Sequence, residues 1–380
     1  MNLTDFRDRL DILDKDLLKL FVERMGIVAE VAEYKRREGL PIYDPQRERQ
    51  KLALLSEQVP DELRGYAERL FSLLFEVSRA HQRGLATGTT PLQDRILHAI
   101  QNTPPLFPER PLVACQGVEG ANSQAAAEKL FVQPNIMHFN SFEGVFRAIQ
   151  QGLCRYGVLP LENSTAGSVN RVYDLMMQYN FSIVRSTRVK IDHCLLARPG
   201  ATLDGIREII SHEQALMQCE GFLRGLKNVK VTACENTATA AKLVFESGRD
   251  DIAALSSRSC AELYGLHILQ PSVQDSASNF TRFICIGKDL EIYPGADKTS
   301  VMLVLPHRPG SLYQALGRLY ALGVNLIKLE SRPLPGSDFE FMFYFDLEGS
   351  VYSDGFLRLF SDIEGFSADF RYLGSYSEVV

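Results

Sequence analysis

From Leu3 onward, apolar residues recur at spacings of three and four: Leu3, Phe6, Leu10, Leu13, Leu17, Leu20, Ile27, Val31 and Tyr34. This heptad stripe predicts one helix over roughly residues 4–37, closed by Gly39 and Pro41. Such a helix is about 50 Å long at 1.5 Å per residue. A unit of ordinary globular shape cannot cover that stripe, so an extended bundle shared between two chains is expected. Asp44-Pro45 predicts the start of a second helix, and Pro60-Asp61 the start of a third carrying Leu63, Tyr66, Leu70, Leu73, Leu74 and Val77. After residue 83 the pattern changes. Residues 84–110 read as a linker, with a flexible GLATGTTP, a short helical LQDRILHAIQ and a proline-punctuated TPPLFPER. Residues 111–290 alternate helical segments with the strand-like runs PLVACQG, YGVLPLE, REIISH, DIAALSS and FTRFICIG, an α/β pattern. Residues 298–380 read β-α-β-β-α-β, the ferredoxin-like order.

The chain has 380 residues, more than one core usually supports. Net charge is −6 and no basic face stands out, which argues against nucleic acid as a partner. No apolar run is long enough to span a membrane, and MNLTDFRDRLDILDKD lacks the uninterrupted apolar core of a signal peptide. A cytoplasmic location is expected. The seven cysteines form no CxxC pair and mostly sit beside aliphatic residues, so reduced buried thiols are expected. No metal or organic cofactor is suggested.

The helical stripe contains one anomaly. Arg24 stands where the repeat calls for an apolar residue, and a buried guanidinium is costly unless an anion meets it. Arg7 and Lys35 lie four heptads apart and flank the same seam, so the cations mark a site for a small, multiply anionic ligand. A solvated charged face is the plainer reading for Arg7 or Lys35 taken alone. Arg47 and Glu48 fall in the first turn of the second helix, and Ser78 and Gln82 share a face near the end of the third. With Asp44, these residues in this order make 1–83 resemble the all-helical chorismate mutase domain. The resemblance implies a domain-swapped dimer and a Claisen rearrangement of chorismate to prephenate. It further implies that Arg7 of one chain and Arg24 of the other bind the two carboxylates. Lys35 and Gln82 would donate to the ether oxygen, and Glu48 would accept from the ring hydroxyl. Asp44, Arg47 and Ser78 would line the pocket.

In the middle zone, Gly117-Val118-Glu119-Gly120 follows the first strand, a place where backbone N–H groups can meet an anion. No GxGxxG in the required form follows that strand, so a nicotinamide site is not expected. The polar run Glu162–Ser168 follows an apolar strand, and Asn279-Phe280-Thr281-Arg282-Phe283 opens another. With Asp192-His193-Cys194-Leu195, Ser211-His212 and Gln214, these segments make 111–290 resemble prephenate dehydratase. The resemblance implies two α/β lobes with a cleft, a periplasmic-binding-protein-like arrangement, crossed near 188 and 275. Prephenate would lose carboxylate and hydroxyl to give phenylpyruvate. Thr281 would donate to the departing hydroxyl, while Asn163, Ser164 and Arg282 orient the substrate. His193 and His212 read better as satisfied structural histidines than as acids. The loop 117–123 departs from the family pattern at Val118 and at Ala121-Asn122.

In the tail, Pro309-Gly310-Ser311-Leu312 opens a helix and Glu330-Ser331-Arg332-Pro333 ends a strand. Both resemble the ACT regulatory domain, which implies allosteric L-phenylalanine bound between paired domains at Pro309, Gly310, Ser311, Leu312, Glu330, Ser331, Arg332 and Pro333. The expected fold is therefore multidomain: an all-α mutase domain, an α/β two-lobed dehydratase domain and an α+β ferredoxin-like ACT domain, as a homodimer or homotetramer. A middle domain acting on arogenate, or serving as a non-catalytic binding module, stays open as the alternative.

Overall fold

The computed structural model describes residues 2–85, 89–307, 309–334 and 340–380; residues 86–88, within the linker read as flexible, lie outside them. Two compact units emerge, residues 1–94 with 358–366, and residues 95–357 with 367–380.

In the first unit, α1 runs unbroken from Leu3 to Arg37. Asn2 and Asp5 form a reciprocal capping box at its start, and Lys35, Arg36 and Arg37 complement the dipole in its last turn. The chain turns at Gly39, whose φ of 65° favours glycine. Next come α2 (Pro45–Ser56), capped by Asp44 with proline in its first turn, and α3 (Asp61–Gly84). No residue of α1 is buried, and Leu10 and Leu17 are 57% and 61% exposed. The stripe that specifies the helix therefore lies open along its length. The predicted short helix is α4 (Pro91–Asn102).

The second unit begins with β1 (Leu112–Gln116), β2 (Asn135–Phe139), β3 (Tyr156–Asn163), β4 (Gly167–Ser168) and β5 (Ser182–Lys190). The chain then crosses to a second lobe of β6 (Cys194–Ala197), β7 (Glu208–His212), β8 (Lys230–Cys234), β9 (Ile252–Ser256) and β10 (His267–Gln270), ordered β10-β6-β9-β7-β8. It returns through β11 (Phe280–Gly287), which inserts antiparallel between β5 and β3. The crossings fall at 191–193 and 271–279, close to the expected positions.

The tail forms β12 (Lys298–Val304), β13 (Asn325–Pro333), β14 (Phe341–Glu348) and β15 (Asp369–Tyr376) in the order β13-β14-β12-β15, with helices Ser311–Ala321 and Asp354–Glu364 in the connections. That is the ferredoxin-like topology. Strands β12 and β14 nevertheless share one core with the first lobe, in which Met302, Met342 and Tyr344 pack with Leu159, Tyr173 and Ile284. Gly374 allows this approach, since a Cβ there would lie 2.3 Å from the Ile183 carbonyl oxygen. The last strand, β16 (Glu378–Val379), leaves the tail and pairs parallel with β5, completing a seven-stranded first-lobe sheet.

Candidate active sites

In the helical unit, α1 and α3 bring Arg24 to Ser78. The Arg24 guanidinium is half-buried, donates to the Ser78 hydroxyl and to the Leu74 carbonyl at 3.3 Å, and lies 5.9 Å from the Phe75 ring centre. Burial lowers its pKa. Lys35 and Gln82 line one cavity of about 490 Å³. Lys35 donates to the Ile42 carbonyl at 2.6 Å, while the buried Gln82 amide oxygen has no protein partner. An unmet buried acceptor is costly, so hydrogen-bonding capacity is held there for a ligand. Asp44 caps α2 by accepting from the Arg47 N–H at 3.0 Å, and the Arg47 side chain is exposed. Glu48 is gripped by Arg79, whose guanidinium also lies 5.0 Å from the Tyr43 ring centre. Sequence reasoning missed Arg79, because an arginine on an amphipathic helix reads as a solvated one. Arg7 is exposed on the same unbroken helix, so it stands about 25 Å from Arg24 and about 40 Å from Lys35. Within one chain it joins neither.

Between the two lobes lies a cleft of about 440 Å³, lined by Ser123, Asn163, Thr281 and Phe283 from one side and by His193, His212, Gln218 and Asn236 from the other. Asn163 and Thr281 are register partners at the ends of β3 and β11, so their side chains meet. The Asn163 amide nitrogen donates to the Thr281 hydroxyl at 2.9 Å, and Thr281 is 8% exposed. Two helices point their N-termini at this space. Asn122–Leu130 starts from Ala121, which supplies no side-chain cap, and Thr237–Ser247 starts from Asn236, which caps the Thr239 N–H. Among the described lining residues there is no lysine or arginine, and Glu235 is the one acid. The His193 ring faces the Gln218 amide oxygen at 3.1 Å, and burial lowers its pKa against the opposing pull of that bond. His212 caps the following helix through Nδ1 at 3.3 Å from the Gln214 N–H. Both histidines have the structural partners expected of them.

Several expectations need correction. The N–H groups of Gly117 and Gly120 do not face a ligand, because they donate to the Phe139 carbonyl and to Gln124 Oε1, each at 2.9 Å. In the helix that follows, Gln124 and Ala125 donate to the Ala121 carbonyl, which leaves the Asn122 and Ser123 N–H groups toward the cleft. Ser164 does not line the cleft: its hydroxyl donates to the Ser278 carbonyl at 3.1 Å and accepts from the Phe280 N–H at 3.0 Å, latching the turn to β11. Arg282 also points away, since successive strand residues face opposite sides. It is 5% exposed, pairs with the fully buried Asp346, and has Glu162 Oε1 2.8 Å from Nε. Burial lowers its pKa, but the anionic field of Asp346 and its neighbours prevails and the net shift is upward. All seven cysteines are free thiols, and burial pushes Cys115 and Cys219 up to about 12, so they are inert at neutral pH.

In the tail, Gly310, Ser311 and Leu312 open a helix beside a cavity of about 340 Å³ walled by Leu305, Phe341 and Phe343. Ser331 and Pro333 are register partners of Phe343 and Phe341 and share their face. Glu330 and Arg332 do not, again by strand alternation. The Glu330 carboxylate accepts from Ser168 at 2.5 Å, and Arg332 pairs with Asp174 at 3.0 Å, so both face the first lobe. Among the described residues no helix is long and apolar enough to cross a membrane.

The family model for chorismate mutase type II matches residues 6–83, and that for prephenate dehydratase matches residues 113–291. The bifunctional chorismate mutase/prephenate dehydratase of Enterobacter agglomerans is 32% identical, across 97% of this chain and 94% of its own length. Arogenate dehydratase/prephenate dehydratase 2 of Arabidopsis thaliana is 37% identical across 70% of this chain and 72% of its own. The structure of prephenate dehydratase in complex with L-Phe from Arthrobacter aurescens superposes with a TM-score of 0.64 at 28% identity, covering 70% of this chain and 89% of that one. With nearly the full length of both proteins aligned, the chain belongs to the family of bifunctional chorismate mutase/prephenate dehydratases.

Proposed function

We propose that this chain rearranges chorismate to prephenate in its helical unit, converts prephenate to phenylpyruvate in the interlobe cleft, and is inhibited by L-phenylalanine bound to its tail. One observation carries the reading. A single chain holds a cavity shared by Lys35 and Gln82 and a cleft in which the Thr281 hydroxyl accepts from Asn163.

The first reaction needs no covalent intermediate, so positioning and electrostatics do the catalysis. Arg24 takes one carboxylate, with Ser78 and Leu74 fixing its direction. Arg7 takes the other from a second chain, which is supported by its distance along α1 and by the open apolar stripe. Lys35 and Gln82 meet the ether oxygen as the C–O bond breaks. Glu48, held by Arg79, accepts from the ring hydroxyl with its remaining lone pairs. Asp44 serves this site by capping α2, and the exposed Arg47 is free to reach the substrate.

In the second reaction, the electrons of the C–CO₂ bond flow into the ring, and the C–OH bond breaks on the far side. The hydroxide leaves as water once protonated, the proton coming ultimately from solvent. Thr281 donates a hydrogen bond to that oxygen. The two helix N-termini meet the substrate's carboxylates in place of arginines.

Phenylalanine suits the tail cavity, with its ring against Phe341 and Phe343 and its carboxylate toward Gly310–Leu312, beside Pro309. The tail is thus an ACT domain. Lys328, Glu330 and Arg332 carry its state to Glu162, Ser168 and Asp174 of the first lobe. The exposed edge of β13 suits pairing with a second tail, so the assembly is a homodimer or homotetramer. Seven free thiols fit the cytoplasm.

The test is to supply chorismate and follow its loss and phenylpyruvate formation, with and without phenylalanine. Conversion through to phenylpyruvate, slowed by phenylalanine, is expected. Prephenate accumulation alone would overturn the cleft assignment, and supplying arogenate in parallel would show whether the transaminated compound is the true substrate.

A further inference from the structure

Hydrogen-bond direction around Thr281 can be worked out from backbone groups, which are unambiguous donors. The Asn163 side chain meets the Thr165 and Ala166 N–H groups at 3.0 and 2.9 Å, so the atom facing them is its oxygen. Its nitrogen therefore points the other way, 2.7 Å from Asn279 and 2.9 Å from the Thr281 hydroxyl. Facing a donor, Asn279 must present its oxygen, so its own nitrogen donates to Gln218 Oε1 at 2.9 Å. Gln218 is then fixed with its nitrogen on the Thr165 hydroxyl at 3.1 Å, and His193 must carry its proton on Nε2. At the far end, the Thr281 oxygen is occupied as an acceptor, and its single proton is left to enter the cleft.

We propose that Asn279 is a positioning residue for the dehydratase reaction. Acting through Asn163, it forces the Thr281 proton toward the departing hydroxyl. Asn279 is 1% exposed, so it touches no substrate and cannot donate directly. Were its amide absent, Asn163 would lose the acceptor that takes one of its two N–H bonds. The amide could then rotate toward the Phe280 carbonyl, which already lies 3.3 Å away. Thr281 would then lose the donor that fixes its hydroxyl, and its proton would be free to turn out of the cleft.

The inference rests on the Thr281 reading above, and the experiment separates the two. Dehydratase rates are measured for Thr281→Ala, Asn279→Ala and the double variant. Asn279→Ala is expected to lower kcat about 10- to 100-fold with KM for prephenate within about twofold. The double variant should match Thr281→Ala, because Asn279 acts only through that hydroxyl. If Thr281→Ala keeps full activity, the Thr281 reading fails first. If Thr281→Ala is impaired and Asn279→Ala multiplies the loss, or if Asn279→Ala alone behaves as wild type, the positioning role is overturned. Calorimetry with prephenate on Thr281→Ala, with and without Asn279→Ala, reports whether the cleft stays folded. Equal affinity is expected, and lost binding in the double variant would assign Asn279 to holding the lobes together instead.

Discussion

The two catalytic regions handle anionic substrates in opposite ways. The helical unit places Arg7, Arg24 and Lys35 along one helix, Arg7 exposed and Arg24 and Lys35 half-buried against α3 and the turn after α1. The interlobe cleft presents no cation among its described lining residues and is lined instead by helix N-termini and oriented amides inside a packed α/β frame. Point charges need little scaffolding, because a guanidinium carries its field wherever a helix puts it. Dipoles act only when their direction is held, so they demand a folded sheet behind them. On the proposed reading, one site is completed by a second chain and the other is complete within one.

The contrast can be broken most severely at its chemical centres. Lys35→Ala is expected to lower mutase kcat/KM about 10²- to 10³-fold, as loss of one donor to a developing anion does elsewhere. Dehydratase activity on supplied prephenate should be untouched. Thr281→Ala should do the reverse, with a fall of about 10²-fold measured as phenylpyruvate formation. If either variant impairs both activities, the sites are not separate. A smaller loss should follow from attacking the open stripe. Leu17→Glu, on the 61%-exposed face of α1, should lower mutase activity at least about tenfold by weakening the two-chain bundle, with cleft activity retained. Sedimentation and both assays check it, and an unchanged mutase rate would mean that Arg7 is not supplied by a partner.

Salt should sharpen the same contrast more gently. Raising ionic strength toward 1 M shrinks the screening length to about 3 Å. KM for chorismate should rise severalfold, while KM for prephenate changes less. The smallest effect concerns acid. Burial depresses His193, so below about pH 6.5 the unfolded chain takes up a proton that the folded one resists. Stability of the second unit should therefore fall as pH drops through that value. His193→Gln should flatten the dependence in thermal unfolding, and an unaltered profile would mean that His193 is not the group responsible.

Much of the helical unit was legible. The heptad spacing and the Asp44-Pro45 and Pro60-Asp61 starts placed all three helices, since capping and periodicity are local. Arg24 stood out because it broke a repeat. Thr281 and Asn163 were readable from the strand-end segments that hold them. The partners were not. Nothing in the sequence marks Gln218, on a short helix 61 positions before Asn279, as the acceptor of the Asn279 amide. The resemblance puts Arg282 beside the substrate with Thr281, whereas strand alternation sends the arginine to Asp346. The division of Glu330–Pro333 between two faces was lost in the same way.

The sequence by itself determined which elements form, where they begin and which residue types carry charge, because those depend on neighbours within a turn or two. Only the tertiary structure decided which way each side chain faces and what each polar group meets: Arg282 into an ion pair, the Gly117 and Gly120 N–H groups onto Phe139 and Gln124, Asn163 onto Thr281. Those outcomes depend on sheet register and on the packing of β16 and the tail sheet against the first lobe, contacts between residues up to about 190 positions apart, which no local pattern encodes.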